Sequence, residues 1–275
     1  MKLLWPVAVT LLLTISGCSK ASSDTSSSAD SATKAKTTTP AFTSTPIQSI
    51  GGNAPESVRK AITEHLKLAE LPAHINSITS TEMPNLYWVT FNEVAPVYMS
   101  GDGQFLLQGE LAKLGKGEVT SLTDALTAQE NKRQIGTIPE KDMIIFSPEL
   151  KPAKAVVYAF TDVDCGYCRK LHSEMGKINA KGIEVRYIPW PRSPEDVANN
   201  KAVWCSEDRK SALTTAKEGL PVQAPPCNDP VMKDREIGML IGVNGTPALY
   251  NADGKYLGGY IPADDLAKML KVDGK

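Results

Sequence analysis

The feature that most constrains this chain is Cys165-Gly166-Tyr167-Cys168, a pair of cysteines two residues apart at the junction of two unlike patterns. Before it, Ala155 to Thr161 is a continuous run of branched and aromatic residues, the signature of a buried strand. After it, Tyr167 to Ala180 carries apolar residues at helical spacing, and Ile183 to Pro189 is a second strand-like run. Strand, helix and strand in that order predict a βαβ unit with parallel strands, and so an α/β region from about residue 138 to the C-terminus. The cysteine pair then falls where a strand hands over to a helix, with Cys165 at the helix N-terminus and Cys168 about one turn in.

That placement carries chemistry. Unpaired backbone N–H groups and the helix dipole favour an anion at Cys165, lowering a thiol pKa from about 8.5 into the range of roughly 3.5 to 7.5. Cys165 is thus the expected nucleophile. Cys168 is near enough to attack a mixed disulfide formed at Cys165 and release the other partner, so it is the expected resolving thiol. The competing reading of such a pair is half of a tetrahedral zinc site. Cys205 and Cys227, however, are too far apart in sequence to form a second pair of that spacing, and the strand-to-helix setting is unlike a zinc knuckle. The thiol chemistry requires no cofactor and no metal.

The chain has 275 residues and five cysteines. Its first seventeen read as an export signal: a basic start at Lys2, an apolar stretch from Leu3 to Ile15, then small residues at Ser16 and Gly17. Ile15-Ser16-Gly17-Cys18 resembles a bacterial lipobox, which implies that Cys18 is lipid-modified. The alternative is an ordinary cleaved signal that leaves Cys18 as a free thiol. Setting Cys18 aside leaves Cys165, Cys168, Cys205 and Cys227, an even set suited to an oxidising compartment. Ser19 resembles the residue that sorts such lipoproteins to the outer membrane.

Residues 18–54 are rich in Ser, Thr, Ala and Asp and bury too little to fold, so a tether with a reach of roughly 30 to 35 Å is expected. Residues 55–119 show a helix (Val58, Ala61, Ile62, Leu66 and Ala69 in phase) followed by strands at Leu86 to Phe91, Val94 to Met99 and Gln104 to Gln108. A unit that small buries proportionally little surface, and pairing with a second copy is expected to help stabilise it. Residues 120–137 read as a linker helix opened by Ser121 and Asp124, polar enough from Gln129 to Gln134 to be solvated; the alternative is an ordinary terminal helix packed on either neighbour. Residues 138–275 complete the α/β unit, with a helical stretch through about Ile241, a hairpin of Ala248 to Asn251 with Lys255 to Tyr260, and a final helix from Ala263. Thirty basic residues against 31 acidic ones give a net charge of −1, with no electrostatic footprint for nucleic acid.

The segment from Phe160 to His172 (FTDVDCGYCRKLH) resembles the active-site segment of the periplasmic disulfide isomerases, the DsbC/DsbG family, and Gly242 to Ala248 (GVNGTPA) resembles that family's cis-proline loop. The resemblance runs from about Pro55 to the C-terminus. It implies a small N-terminal dimerisation domain, a linker helix and a C-terminal thioredoxin-like domain with a helical insertion. It also implies a V-shaped homodimer, a structural disulfide between Cys205 and Cys227, a cis bond before Pro247, and substrate contact by Gly166, Tyr167, Thr246 and Pro247. A second redox-active pair at Cys205 and Cys227 is the alternative there. The implied partners are misfolded, disulfide-containing envelope proteins and a membrane thiol reductase of the DsbD type as electron donor. A dedicated thiol reductase, or a holdase with secondary redox activity, would use the same scaffold. Arg169 departs from the family, whose best-known members carry histidine there. Of the remaining candidates, His172 is expected to be an exposed helix residue, His65 and His74 surface or packing residues, and Asp162 and Asp164 either loop caps or local charge.

Overall fold

A computed structural model of the protein describes residues 53–149 and 152–273. The expected signal, Cys18 and nearly all of the expected tether lie outside the described residues.

The N-terminal part opens with helix α1 (Glu56–Leu68), followed by strands β1 (Ile75–Ser80), β2 (Leu86–Phe91), β3 (Val97–Ser100) and β4 (Leu106–Leu107) in one antiparallel sheet of that order. Side chains alternate across a strand, and here both faces are covered. Val89, Phe91, Val97 and Met99 pack with Ile62 and Leu66 of α1, whereas Trp88 and Tyr98 turn the other way and meet Leu126. The expected strand from Val94 begins instead at Val97, because Pro96 has no N–H to give to a ladder and Val94 is exposed. The strand expected over Gln104 to Gln108 shrinks to two residues at the sheet edge. A hairpin of β5 (Ala112–Gly115) and β6 (Glu118–Ser121), which the sequence did not signal, leads into helix α2 (Thr123–Ile135).

Helix α2 corrects an expectation. Its polar run is not solvated: Glu130, Asn131 and Gln134 are each under 10% exposed. Glu130 holds Arg133 and Gln134, and the Asn131 amide donates to the carbonyl of Gly254 at 3.1 Å. A Cβ at Gly254 would stand 2.1 Å from the Ala128 carbonyl oxygen, so the contact requires glycine. Ser121 Oγ accepts from the N–H of Asp124, supplying one of the helix's free first-turn donors with a partner.

The C-terminal part is a five-stranded sheet in the order β11-β10-β8-β9-β7. Strands β8 (Ala155–Thr161) and β9 (Ile183–Pro189) are parallel; β7 (Ile144–Phe146), β10 (Ala248–Asn251) and β11 (Tyr256–Gly258) run antiparallel to their neighbours. One face buries Val157, Ala159, Val185, Tyr187 and Leu249 beneath α3 (Gly166–Ser173), α4 (Met175–Ala180), α5 (Pro194–Trp204), α6 (Arg209–Lys217) and α8 (Ala263–Met269). The other buries Phe160, Ile188, Ala248 and Tyr250 against Ile135 and against Ile237 of α7 (Val231–Leu240). Strand β8, covered on both faces, reads as a nearly unbroken apolar run, whereas β9 alternates Glu184 and Arg186 with buried Ile183, Val185 and Tyr187; either pattern marks a strand. The single helix expected over Tyr167 to Ala180 breaks at Glu174 into α3 and α4. Trp204 is wholly buried, and its indole N–H donates to the Asp142 carbonyl at 2.9 Å. Full burial of one such large side chain contributes about 2–3 kcal/mol.

Candidate active site

Strand β8 ends at Thr161, and a three-residue turn delivers Cys165 to the N-cap of α3. The turn is held from inside by Asp162, which is wholly buried. Its carboxylate accepts from Arg192 Nε at 2.7 Å, Asn200 Nδ2 at 3.0 Å and the Asp164 N–H at 3.2 Å. These bonds outweigh burial and keep Asp162 ionised, its pKa below the usual carboxylate range. Asp162 is therefore a structural clamp rather than a simple cap. Asp164 accepts from Asn199 and, at 3.4 Å, from Arg169.

Cys165 has extended backbone angles and the helix has no side-chain oxygen as its cap. The sulfur takes that place. Cys165 is pulled down to about 5, chiefly by its hydrogen bond with Cys168, with further help from Thr246 and from the N–H groups of Cys168 and Tyr167; burial opposes the shift. Cys168 moves the other way. It is wholly buried, and burial pushes its thiol up, reinforced by the shared bond in which Cys168 keeps the proton. Two thiols two residues apart are thus set in opposite protonation states.

Facing them is the loop before β10. The peptide bond from Thr246 to Pro247 is cis, and the Thr246 carbonyl accepts from the Cys165 thiol at 3.1 Å. That bond favours the protonated sulfur. The Thr246 side chain nonetheless favours the thiolate, and its hydroxyl is buried without a hydrogen-bond partner among the described residues. Gly166 and Tyr167 form the outward rim. Tyr167 is 65% exposed and stacks on Tyr260 with ring centroids 6.3 Å apart, while Lys170 sits 4.6 Å over the Tyr260 ring.

Cys205, at the end of α5, is bonded to Cys227, 22 residues on. Their sulfurs are then unavailable as thiolate ligands, which removes the partner pair a zinc site at Cys165 and Cys168 would have needed. His172 corrects another expectation. It is buried between Tyr187, 3.2 Å from Nδ1, and Thr214, 3.1 Å from Nε2, and burial lowers its pKa to about 4, so it stays neutral. His74 is exposed and paired with Glu93, and His65 is half-buried on α1. Arg192, Asn200, Tyr260 and Lys217 were not foreseen as neighbours of the site.

Residues 26–124 match the disulfide bond isomerase N-terminal domain family, and residues 140–272 match a thioredoxin-like domain family. The thiol:disulfide interchange protein DsbC of Dickeya dadantii is 33% identical over 177 residues, covering 63% of this chain and 71% of that protein. The chain belongs to the DsbC family. Its DsbC relative in Haemophilus influenzae is 34% identical over 180 residues, covering 64% of this chain and 75% of that one. A disulfide interchange protein from Neisseria gonorrhoeae of known crystal structure is 27% identical, with 49% of this chain and 96% of that chain covered and a TM-score of 0.44. As a DsbC-family member the chain is a thiol-disulfide oxidoreductase of the disulfide isomerase kind, built from a DsbC-type N-terminal domain and a thioredoxin-like C-terminal domain.

Proposed function

We propose that this protein isomerises incorrect disulfides in proteins of the bacterial envelope, with Cys165 as nucleophile and Cys168 as resolving thiol. The observation that carries the assignment is the placement of the two sulfurs: Cys165 stands at the α3 N-terminus, 3.1 Å from the carbonyl of the cis Thr246–Pro247 bond, and Cys168 is wholly buried about one turn in behind it. The Cys165 thiolate attacks a substrate disulfide, forming a mixed disulfide and releasing one substrate thiolate. In isomerisation another substrate thiol displaces Cys165. When none does, Cys168 attacks Cys165, the substrate leaves reduced, and the protein must be re-reduced by a membrane thiol reductase of the DsbD type.

Gly166, Tyr167, Thr246 and Pro247 form the surface that meets substrate. The Thr246 carbonyl, released when Cys165 loses its proton, accepts a hydrogen bond from an extended substrate strand. The domains are taken as 55–119 for dimerisation, 120–137 as linker and 138–275 as catalytic, with Cys205 and Cys227 as a structural crosslink. The assembly is a homodimer paired through the N-terminal sheet and exported to the periplasm. After removal of residues 1–17 it is anchored through lipid on Cys18, at the end of the tether over residues 18–54. Among the described residues no helix is long and apolar enough to cross a membrane, so the lipid would be the membrane attachment of this part of the chain.

The test uses the chain with Cys18→Ser, which removes the lipid acceptor, and follows recovery of activity by a scrambled multi-disulfide protein. Recovery that survives Cys168→Ser but is lost with Cys165→Ser supports isomerisation. Loss with Cys168→Ser alone identifies an obligate reductase instead.

A further inference from the structure

Lys217 closes α6 directly behind the two cysteines and is only 5% exposed. Its Nζ donates to Thr161 Oγ1 at 2.8 Å and to the Asp162 carbonyl at 2.7 Å. Neither acceptor is charged, and among the described residues no carboxylate forms an ion pair with it. Burying an ammonium without a counter-ion is costly, and here burial lowers Lys217 to about 8 against the opposing pull of Cys168, Asp162 and Cys165. A neutral amine can keep one N–H on the Asp162 carbonyl and turn its lone pair to accept from the Thr161 hydroxyl.

Thr161 is the last residue of β8, and its hydroxyl also reaches the sulfur of Cys168. It therefore stands between the amine and a wholly buried thiol that has to shed a proton before it can attack. No part of Cys168 is exposed, so water is not the ready acceptor. On its far side Lys217 lines a surface cavity of 450 Å3 shared with Phe146, His172, Thr214 and Glu218, through which a proton can leave. The charged and titratable groups around it are Cys165, Asp162, Cys168, Arg169, His172 and Glu218, of which His172 stays neutral.

We infer that Lys217 is the proton acceptor for Cys168, reached through the hydroxyl of Thr161. The inference rests on the assignment of Cys165 and Cys168 above and adds the proton route. In the step, the Cys168 proton passes to Thr161 Oγ1 while the Thr161 hydroxyl proton passes to Lys217 Nζ. The new thiolate attacks Cys165 in the mixed disulfide, the bond between Cys165 and Cys168 forms, and the substrate sulfur departs with the electron pair of the broken bond. The substrate is reduced and the protein pair oxidised. The resulting ammonium donates to Thr161 Oγ1 and to the Asp162 carbonyl, the two bonds the structure displays.

Stopped-flow reaction of the reduced protein with 5,5′-dithiobis(2-nitrobenzoate) separates the two thiols, since attack by Cys165 releases a first chromophore and attack by Cys168 the second. The wild-type second phase is expected to rise with pH through one inflection near the Lys217 value of about 8 and then level. Lys217→Met is expected to slow that phase by about a hundredfold near neutral pH, abolish the inflection and leave the first phase within about twofold. Lys217→Arg, which keeps the charge but cannot take a proton, is expected to be equally slow. Thr161→Val interrupts the same route and serves if the lysine variants do not fold. A second phase of wild-type rate in Lys217→Arg or Thr161→Val overturns the proposal, as does a wild-type second phase that shows no inflection. Absence of the first phase in the wild type sinks the reading of Cys165 itself, and this one with it.

Discussion

Cys165 and Thr246 are 81 positions apart in the chain, yet the Cys165 sulfur lies 3.1 Å from the Thr246 carbonyl oxygen. Strand β10 runs antiparallel to β8, with Ala248 opposite Phe160, and this pairing brings the loop before β10 to the N-terminus of α3. The carbonyl is occupied by the thiol while Cys165 is protonated and is vacated when it ionises. Ionisation thus produces a thiolate and frees a backbone acceptor in the same event.

The rate of alkylation of reduced protein by iodoacetamide should follow a one-proton ionisation centred at about 5, and Cys165→Ser should abolish the fast phase. The shift also links to stability. A thiol whose folded pKa is depressed stabilises the fold fully above its unfolded value of 9.0, and that contribution is lost as pH falls through about 5. Relative to Cys165→Ala, the reduced protein should gain stability across that window, by up to about 1.4 kcal/mol per pH unit in urea titrations. A thiol protonated and inert at pH 7 would end the assignment.

Crosslinking Cys205 to Cys227, 22 positions apart, restricts the unfolded chain. Replacing both by alanine should cost about 3 kcal/mol in unfolding free energy on the loop-entropy account. The two-phase reaction at Cys165 and Cys168 should persist under conditions where the variant remains folded. Loss of that reaction without loss of fold would show that the crosslink takes part in exchange.

Asp234 on α7 is wholly buried with neither oxygen hydrogen-bonded, and burial, aided by the charge of Asp142, raises its pKa to about 7. A carboxyl with a raised folded pKa contributes stability that is complete below its unfolded value of 3.8 and is lost as pH climbs through about 7. Asp234→Asn should therefore leave stability nearly unchanged at pH 4 and raise it by about 4 kcal/mol at pH 8. Equal effects at both pH values would contradict burial as the cause.

Strand β4 leaves Leu106 and Leu107 about half exposed at a sheet edge, beside Phe105 at 69%. An open apolar edge invites pairing with another strand. If the homodimer forms there, Leu107→Lys should convert it to monomer in analytical ultracentrifugation while preserving the thiol reactions of Cys165. A dimer of undiminished stability would place the interface elsewhere.

Reading the chain by pattern succeeded where the pattern was dense. The limits of β8 and β9 agree with those expected, because β8 is a nearly continuous apolar run and β9 alternates Glu184 and Arg186 with buried Ile183, Val185 and Tyr187. Strand β1 escaped notice: INSITS contains only two apolar residues, and just Ile78 is deeply buried. Helix α2 was legible as a helix but not as a packed one, since Glu130, Asn131 and Gln134 satisfy one another and the turn at Gly254 rather than water. His172 and Lys217 sit in polar stretches indistinguishable from solvated helix faces, and the partners that bury them lie up to 56 residues away.

Local chemistry alone determined that a strand would yield to a helix at Cys165 and that a sulfur there would meet unpaired N–H groups, because strand, turn and helical periodicity are written in adjacent residues. Only the tertiary structure decided that Cys168 would be wholly buried behind Cys165, that Asp162 would be a charged clamp, and that an amine would stand behind Cys168. Those properties depend on burial and on hydrogen-bond partners drawn from distant segments, and neither exists until the sheet and its helices are assembled.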